Sequence, residues 1–164
     1  MLTDWEKMWL NMAIAASKKS KDPSTQVGAV IVSPDRRSIT AGFNGFPEHC
    51  LDEVAVLNKS AGYTITNNVI AKVPFKEAVV NKYDLVLHAE QNAILNCRTR
   101  PVGYTLYCTH VPCAACSSFI AGSGITNVVA IRAFGASDMG YEKTEIIFKL
   151  NKINFKLCTL NDLK

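Results

Sequence analysis

Two short segments hold residues able to do chemistry together: His88-Ala89-Glu90 and, farther along, Pro112-Cys113-Ala114-Ala115-Cys116. One imidazole and two thiolates supply three zinc ligands. Three protein ligands leave the fourth tetrahedral position to water, the arrangement of a catalytic rather than a structural site. A zinc ion lowers the pKa of that water from about 15.7 toward about 7, which makes a nucleophile available at neutral pH. Glu90, two residues past His88 and not required as a ligand, is placed to carry protons between the water and a substrate.

A Cys-x-x-Cys pair also occurs as a redox couple or as half of a closed structural zinc site. A redox couple does not require a distant His-x-Glu, and a closed site needs a fourth ligand. His49, Cys50, Cys97, Cys108, His110 and Cys158 are the candidates for one. His110 is the most awkward, standing three positions before Cys113, and its short connection to Pro112 makes it a loop residue expected near a pocket mouth. Cys50, Cys97, Cys108 and Cys158 are assigned to packing or loops, since small buried thiols are common in cores.

The elements that must position these groups follow from hydrophobic periodicity. Asp4 is expected to cap a first helix in which Trp5, Met8, Trp9, Met12, Ile14, Ala15 and Ala16 recur at helical spacing, ending near Lys18-Lys19-Ser20-Lys21. Val27–Val32 is a nearly continuous apolar run and reads as a buried strand; Ser33-Pro34-Asp35-Arg36 turns the chain, and Ser38–Asn44 returns as its hairpin partner. From about Leu51 to Tyr83 the pattern weakens at Asn67, Asn68 and Pro74, with a short helical piece over Phe75–Val80, so residues 51–83 read as an insertion in a single 1–164 domain. After it come a helix from about Leu87 to Arg98, a strand over Tyr104–Thr109, a helix from Cys113 to about Gly122 and a strand over Asn127–Ile131. A helix from about Met139 to Leu150 and a strand over Asn154–Cys158 close the pattern. Strands alternating with helices predict an α/β layered sheet, mixed because its first two strands form a hairpin. In this layout the His-x-Glu and the two cysteines lie at the first turns of successive helices, whose N-termini converge on the ion and favour thiolate over thiol.

The chain has 164 residues, 48% of them hydrophobic, which is enough for one core and excludes a disordered chain. No apolar run approaches the ~20 residues of a membrane span. The start, Met1-Leu2-Thr3-Asp4-Trp5-Glu6, lacks a basic region leading into an apolar one, and six cysteines without a disulfide pattern read as reduced thiols, so a cytoplasmic protein is expected. A net charge of +4 suits an anionic small substrate, whereas 9% aromatic content and scattered lysines argue against a nucleic-acid face.

The motifs together resemble the deoxycytidylate deaminases of the cytidine deaminase-like superfamily. H-x-E followed by P-C-x-x-C is the signature of zinc nucleobase deaminases. Beyond it the resemblance rests on Ser20-Lys21-Asp22-Pro23-Ser24-Thr25-Gln26-Val27-Gly28-Ala29, Gly42-Phe43-Asn44-Gly45-Phe46-Pro47, Lys82-Tyr83 and Gln91-Asn92-Ala93-Ile94, and covers most of the chain up to about Ile131. Two departures stand out: the family's Ala-Lys after the second cysteine is Ser117-Ser118 here, and Arg132–Tyr141, near which family members place substrate-phosphate contacts, matches poorly.

The resemblance implies a three-layer α/β/α fold with a central mixed five-stranded sheet, and zinc-dependent hydrolysis of dCMP to dUMP and ammonia, supplying dUMP for thymidylate synthesis. It implies one zinc per chain on His88, Cys113 and Cys116, with Glu90 catalytic. Val27 would pack on the base, Asn44 would meet the deoxyribose hydroxyl, and the Ala89 N–H and the carbonyl before Cys113 would meet the base edge. It also implies a homohexamer activated by dCTP and inhibited by dTTP, each with Mg²⁺, at a site including Lys21, Asp22, Ser24, Gln26 and Gly45. A second, structural zinc at His49-Cys50 is an alternative to the single-metal expectation. Activity on dCTP, a modified deoxycytidylate or a base in nucleic acid is the alternative to dCMP, and a non-enzymatic zinc scaffold is disfavoured by Glu90.

Overall fold

The computed structural model describes residues 1–22, 24–47, 61–67, 69–132 and 138–164. Its first helix, α1 (Asp4–Ser17), starts one residue earlier than the periodicity suggests: Thr3, not Asp4, is the cap. The Thr3 hydroxyl accepts from the Glu6 N–H at 3.2 Å, and the Glu6 carboxylate accepts from the Thr3 N–H at 2.7 Å, a reciprocal pairing that satisfies two otherwise orphaned donors. Only one stripe of α1 is enclosed, with Trp9, Leu10 and Ala13 buried, while Trp5, Met8 and Met12 of the expected apolar face remain exposed.

A five-stranded sheet follows, built from β1 (Gly28–Val32), β2 (Ile39–Phe43), β6 (Thr105–Cys108), β7 (Asn127–Ile131) and β8 (Asn154–Cys158), in the order β2-β1-β6-β7-β8. β1 pairs antiparallel with both β2 and β6, whereas β6, β7 and β8 run parallel, so the sheet is mixed as expected. The remaining helices of this layer system are α3 (Ala89–Leu95), α4 (Ala114–Ser123) and α5 (Asp138–Leu150).

Side-chain alternation assigns the faces. Val30, Val32, Tyr107, Val129 and Ile131 point toward α1, while Ala29, Ile31, Leu106, Val128 and Ala130 cluster on the other side with Ala89 and Ala93 of α3, Ile120 of α4 and Phe148 of α5. The sheet is thus covered on both faces, which is why its central strands read as continuous apolar runs. Full burial of side chains such as Leu10 or Phe148 contributes about 1.5–3 kcal/mol each.

Two glycines permit this layering. A Cβ at Gly28 would stand 2.6 Å from the Ser17 nitrogen and collide with the Ala13 carbonyl of α1. At Gly42 it would stand 2.5 Å from the Ala89 carbonyl oxygen and collide with the Ala93 nitrogen, so α3 rests directly on the backbone of β2.

The stretch read as an insertion contains more order than expected. β3 (Ala61–Thr66) and β4 (Val69–Pro74) form an antiparallel hairpin, and β5 (Val80–Asn81) adds to β3, giving a second sheet of order β4-β3-β5. Asn67, taken as a pattern break, adopts φ +52° between Thr66 and Val69, the left-handed geometry a tight hairpin turn requires. The helical piece expected over 75–80 is a 3₁₀ turn at Phe75–Glu77, followed by β5 and the single turn α2 (Lys82–Leu85). His49 and Cys50, with the rest of 48–60, and residues 133–137 beside the poorly matching Arg132 lie outside the described residues. Among the described residues no helix is long and apolar enough to cross a membrane.

Candidate metal centre and active site

Both ligand segments sit where a strand or loop hands over to a helix. His88 is the N-cap of α3, with its backbone N–H donating to Gln91 Oε1 at 2.9 Å, and Cys113 is the N-cap of α4, its sulfur accepting from the Cys116 N–H at 3.5 Å. The extended backbone at each cap, near φ −70° and ψ +160°, ends one chain direction and begins another.

The structure brings the three expected ligands together. His88 Nδ1 is 3.7 Å from Cys113 Sγ and 3.3 Å from Cys116 Sγ, and all three ligand atoms lie within 4.8 Å of one another. A tetrahedral zinc with bonds of about 2.3 Å to sulfur and about 2.0–2.1 Å to nitrogen places such atoms about 3.6 Å apart. The donor set therefore fits the ion. Among the described residues the cluster comprises these three, and neither Glu90 nor His110 belongs to it.

The electrostatics describe a proton-sharing site. Hydrogen bonds from the Cys116 thiol and the His88 imidazole hold Cys113 down to about 3, and Cys116, facing that thiolate, is pushed far up. The hydrogen bond to Cys113 raises His88. A metal ion held there would take both sulfurs as thiolates, so that binding releases protons. Glu90 is 4% exposed, and burial pushes its carboxyl above the ordinary value.

Both ligand helices open on a cavity of about 280 Å³. His88, Ala89, Glu90 and Cys113 line it together with His110, Val111, Asp22, Ser24, Thr25, Val27, Asn44, Lys82, Tyr83 and Val86. His110, expected as a loop residue near a pocket mouth, lines the cavity, with Nδ1 3.0 Å from Thr109 Oγ1, and burial lowers its pKa so that the neutral ring is favoured. Thr109, which follows β6, in turn accepts from the Gly28 N–H at 3.0 Å, tying the end of β6 to the start of β1.

The other expected residues are partly committed to structure. Asn44 Oδ1 accepts from the Val27 N–H at 2.8 Å, and its Nδ2 donates to the Thr25 carbonyl at 2.8 Å and to Asp22 Oδ2 at 3.4 Å. Ala89 is fully buried at the cavity wall. The carbonyl before Cys113, expected at the base edge, accepts from the buried Thr144 hydroxyl at 2.6 Å, which occupies one of its two lone pairs.

Of the residues named for an effector site, Asp22 and Ser24 line this same cavity, and Gln26 Nε2 donates to the Ser20 carbonyl at 2.8 Å. Lys21 is exposed, and Gly45 exchanges two backbone hydrogen bonds with Leu87, at 3.1 and 2.9 Å, one residue before His88. Cys97 is half-buried, while Cys108 and Cys158 are buried, in keeping with packing roles.

Lys82, which entered the sequence analysis only through the Lys82-Tyr83 resemblance and with no task assigned, also lines the cavity. Its side chain, 5% exposed, forms an ion pair with Asp22 at 2.6 Å. The two lie on opposite sides of the insertion, so no local spacing relates them. Besides the Lys82-Tyr83 resemblance, a local signal is Asn81, whose side chain caps α2 by accepting from the Tyr83 N–H at 2.8 Å and so orients the turn that carries Lys82.

Residues 3–132 match the model of the cytidine and deoxycytidylate deaminase zinc-binding region. The chain is 30% identical over 162 residues to the deoxycytidylate deaminase of Mus musculus, covering 95% of this chain and 80% of that one. It is 37% identical over 133 residues to the deoxycytidylate deaminase of Mycobacterium phage D29, covering 77% of this chain and 93% of that one. It spans 58 to 64% of the length of several longer animal relatives. Among solved structures, the dCMP deaminase of cyanophage S-TIM5 in complex with dCMP and dUMP shares the fold, with a TM-score of 0.66 at 23% identity over 96% of this chain and 99% of that one. With its three ligand atoms gathered at two helix starts and the matching region running from α1 through β7, the chain belongs to the cytidine and deoxycytidylate deaminase family.

Proposed function

We propose that the protein catalyses hydrolytic deamination of dCMP to dUMP and ammonia. The observation that carries this reading is the His88, Cys113 and Cys116 cluster with the buried Glu90 beside it in one cavity, in a chain whose relatives include deoxycytidylate deaminases. His88, Cys113 and Cys116 would hold one zinc ion, which when bound lowers the pKa of a water toward about 7.

Glu90 takes the proton that the attacking water gives up and delivers it to ring N3 as the C4–O bond forms. It then takes the proton of the new C4 hydroxyl and passes it to the exocyclic amine as the C4–N bond breaks and the C4 carbonyl forms, so that water and dCMP become dUMP and ammonia. Burial, which disfavours a bare carboxylate, supports a group that both accepts and donates. Val27 packs against the base, and the Ala89 N–H meets its edge. Asn44 offers the sugar hydroxyl the second lone pair of Oδ1, the first being used by the Val27 N–H.

Control by dCTP and dTTP in a cytoplasmic homohexamer is the finer part of the reading. The exposed Lys21 beside the cavity loop supports it, as does the Gly45 to Leu87 pairing, which links that region to His88. Mg²⁺ at Asp22 would have to compete with Lys82 for the carboxylate.

The test is ammonia release by the zinc-loaded protein on dCMP, dCTP, deoxycytidine and a cytosine-bearing oligonucleotide. The largest kcat/KM is expected for dCMP; a preference for any other substrate replaces the reading. Saturation with dCMP is then repeated with each triphosphate plus Mg²⁺. Hyperbolic curves unmoved by either nucleotide would remove the regulatory part and leave the chemistry.

A further inference from the structure

Behind the metal loop lies a buried polar chain with no part in the proton transfers. Ser117 and Thr144 are both fully buried. Thr144 Oγ1 donates to the Pro112 carbonyl at 2.6 Å. Ser117 Oγ lies 2.9 Å from the Cys113 carbonyl and 3.2 Å from Thr144 Oγ1. The Ser117 backbone N–H also donates to the Cys113 carbonyl, at 2.8 Å. Hydroxyls buried this deeply lose their water partners and must find protein ones, and here both are spent on consecutive carbonyls of the loop that carries Cys113.

The geometry has a definite consequence. The Pro112 carbonyl belongs to the peptide plane before the Cys113 Cα, and the Cys113 carbonyl to the plane after it. Holding both planes fixes the two backbone torsions of Cys113, φ −71° and ψ +169°, and with them the direction in which its Cβ–Sγ bond leaves the chain. We propose that the Ser117–Thr144 hydroxyl pair, bridging α4 and α5, is a positioning device that aims the Cys113 sulfur at the metal. This inference rests on the reading of His88, Cys113 and Cys116 as a zinc site. It gives the departure at Ser117 from the family's alanine a purpose, because Thr144 contributes its hydroxyl from a helix that begins beyond the matched region.

The pair acts on the ligand rather than on the substrate, so its loss should appear in metal binding. Thr144→Val keeps the branched shape and removes the hydroxyl, leaving the Pro112 carbonyl without that partner. It should weaken zinc binding, measured by competition with a chromophoric chelator, by about 10–100-fold, the range for lost outer-sphere partners. Thr144→Ser, which restores the hydroxyl on a smaller side chain, should stay within about twofold of the wild type. Ser117→Ala should have the smaller effect of the two deletions, a loss of about 3–10-fold, because the Ser117 N–H still holds the Cys113 carbonyl. The cobalt-substituted protein supplies the spectroscopic readout: Thr144→Val should shift the thiolate-to-cobalt absorption and Thr144→Ser should not.

Wild-type affinity with an unchanged cobalt spectrum in Thr144→Val overturns the proposal. So does an equal loss in Thr144→Ser and Thr144→Val, which would make side-chain volume rather than the hydroxyl responsible. Should Thr144→Val fail to fold, Ser117→Ala, carrying the family's own residue, decides: zinc affinity equal to wild type refutes the positioning role. A wild-type protein that binds no zinc refutes the metal site itself, an outcome separate from any ratio between variants.

Discussion

The ion pair between Asp22 and Lys82 gives a test of how the cavity wall is held. Its two members are unequally supported. The Asp22 carboxylate accepts from the Ser24 N–H at 2.8 Å, the Thr25 N–H at 3.2 Å and Asn44 Nδ2 at 3.4 Å as well as from Lys82. Among the described residues, the Lys82 ammonium has the carboxylate at 2.6 Å and otherwise only the Tyr83 ring, with its centroid 5.9 Å away. Removing the charge of Asp22 therefore strands an ammonium that is nearly sealed from water, which should cost about 3–5 kcal/mol for Asp22→Asn. Lys82→Met leaves a carboxylate that still has three donors, and the cost should be about 1–3 kcal/mol. The double variant should recover part of the sum, with a coupling of about 1–3 kcal/mol.

Urea denaturation of the zinc-saturated protein measures all three, with constant m-values as the check on comparison. Burial alone would raise the Asp22 carboxyl, but the Lys82 hydrogen bond and the Ser24 and Thr25 N–H groups outweigh it and hold it below 3.8. A depressed carboxyl stabilises the fold above its unfolded value and loses that contribution as pH falls through the folded one. The gap between wild type and Asp22→Asn should therefore be constant from neutrality down to about pH 5 and narrow only below that. A cost for Lys82→Met that equals or exceeds that for Asp22→Asn, or values under about 1 kcal/mol for both, would refute the asymmetry and make the pair an ordinary surface bridge.

Two further outcomes follow from the site and its support. Glu90→Gln should retain zinc by metal analysis while kcat falls by about 10²–10⁴, whereas Cys113→Ser should lose zinc affinity because an alcohol does not ionise as a thiol does; zinc lost from Glu90→Gln would make Glu90 a ligand. Gly42→Ala places a methyl within 2.5 Å of the Ala89 carbonyl oxygen, so α3 must shift off β2. A loss of about 1–3 kcal/mol in urea with weaker zinc binding is expected, and a neutral substitution would show that α3 moves without disturbing His88.

The chemistry was legible in the sequence because it is local. His88 and Glu90 share one helix start and Cys113 and Cys116 another, so spacing alone puts each pair on one turn. The apolar runs of β1 and β7 likewise report burial directly, and β7 and β8 have the bounds their residues suggest, whereas the stripe expected for α1 does so only at Trp9. Legibility failed where geometry depends on partners distant in the chain. The hairpin of β3 and β4 was hidden because its turn residue, Asn67, also signals an interruption, and β4 is largely exposed, so no alternation of buried residues marks it.

The buried contacts behind the site are likewise tertiary. Asp22 meets Lys82 across the insertion, and Thr144 reaches Pro112 across two elements. A hydroxyl or a lysine in sequence looks solvated, and only the packing of helices against the sheet removes its water and forces it onto a specific carbonyl or carboxylate. Local spacing thus determined which atoms could bind a metal and move a proton. The tertiary structure decided which polar groups are buried beside them, because desolvation depends on what the whole chain encloses.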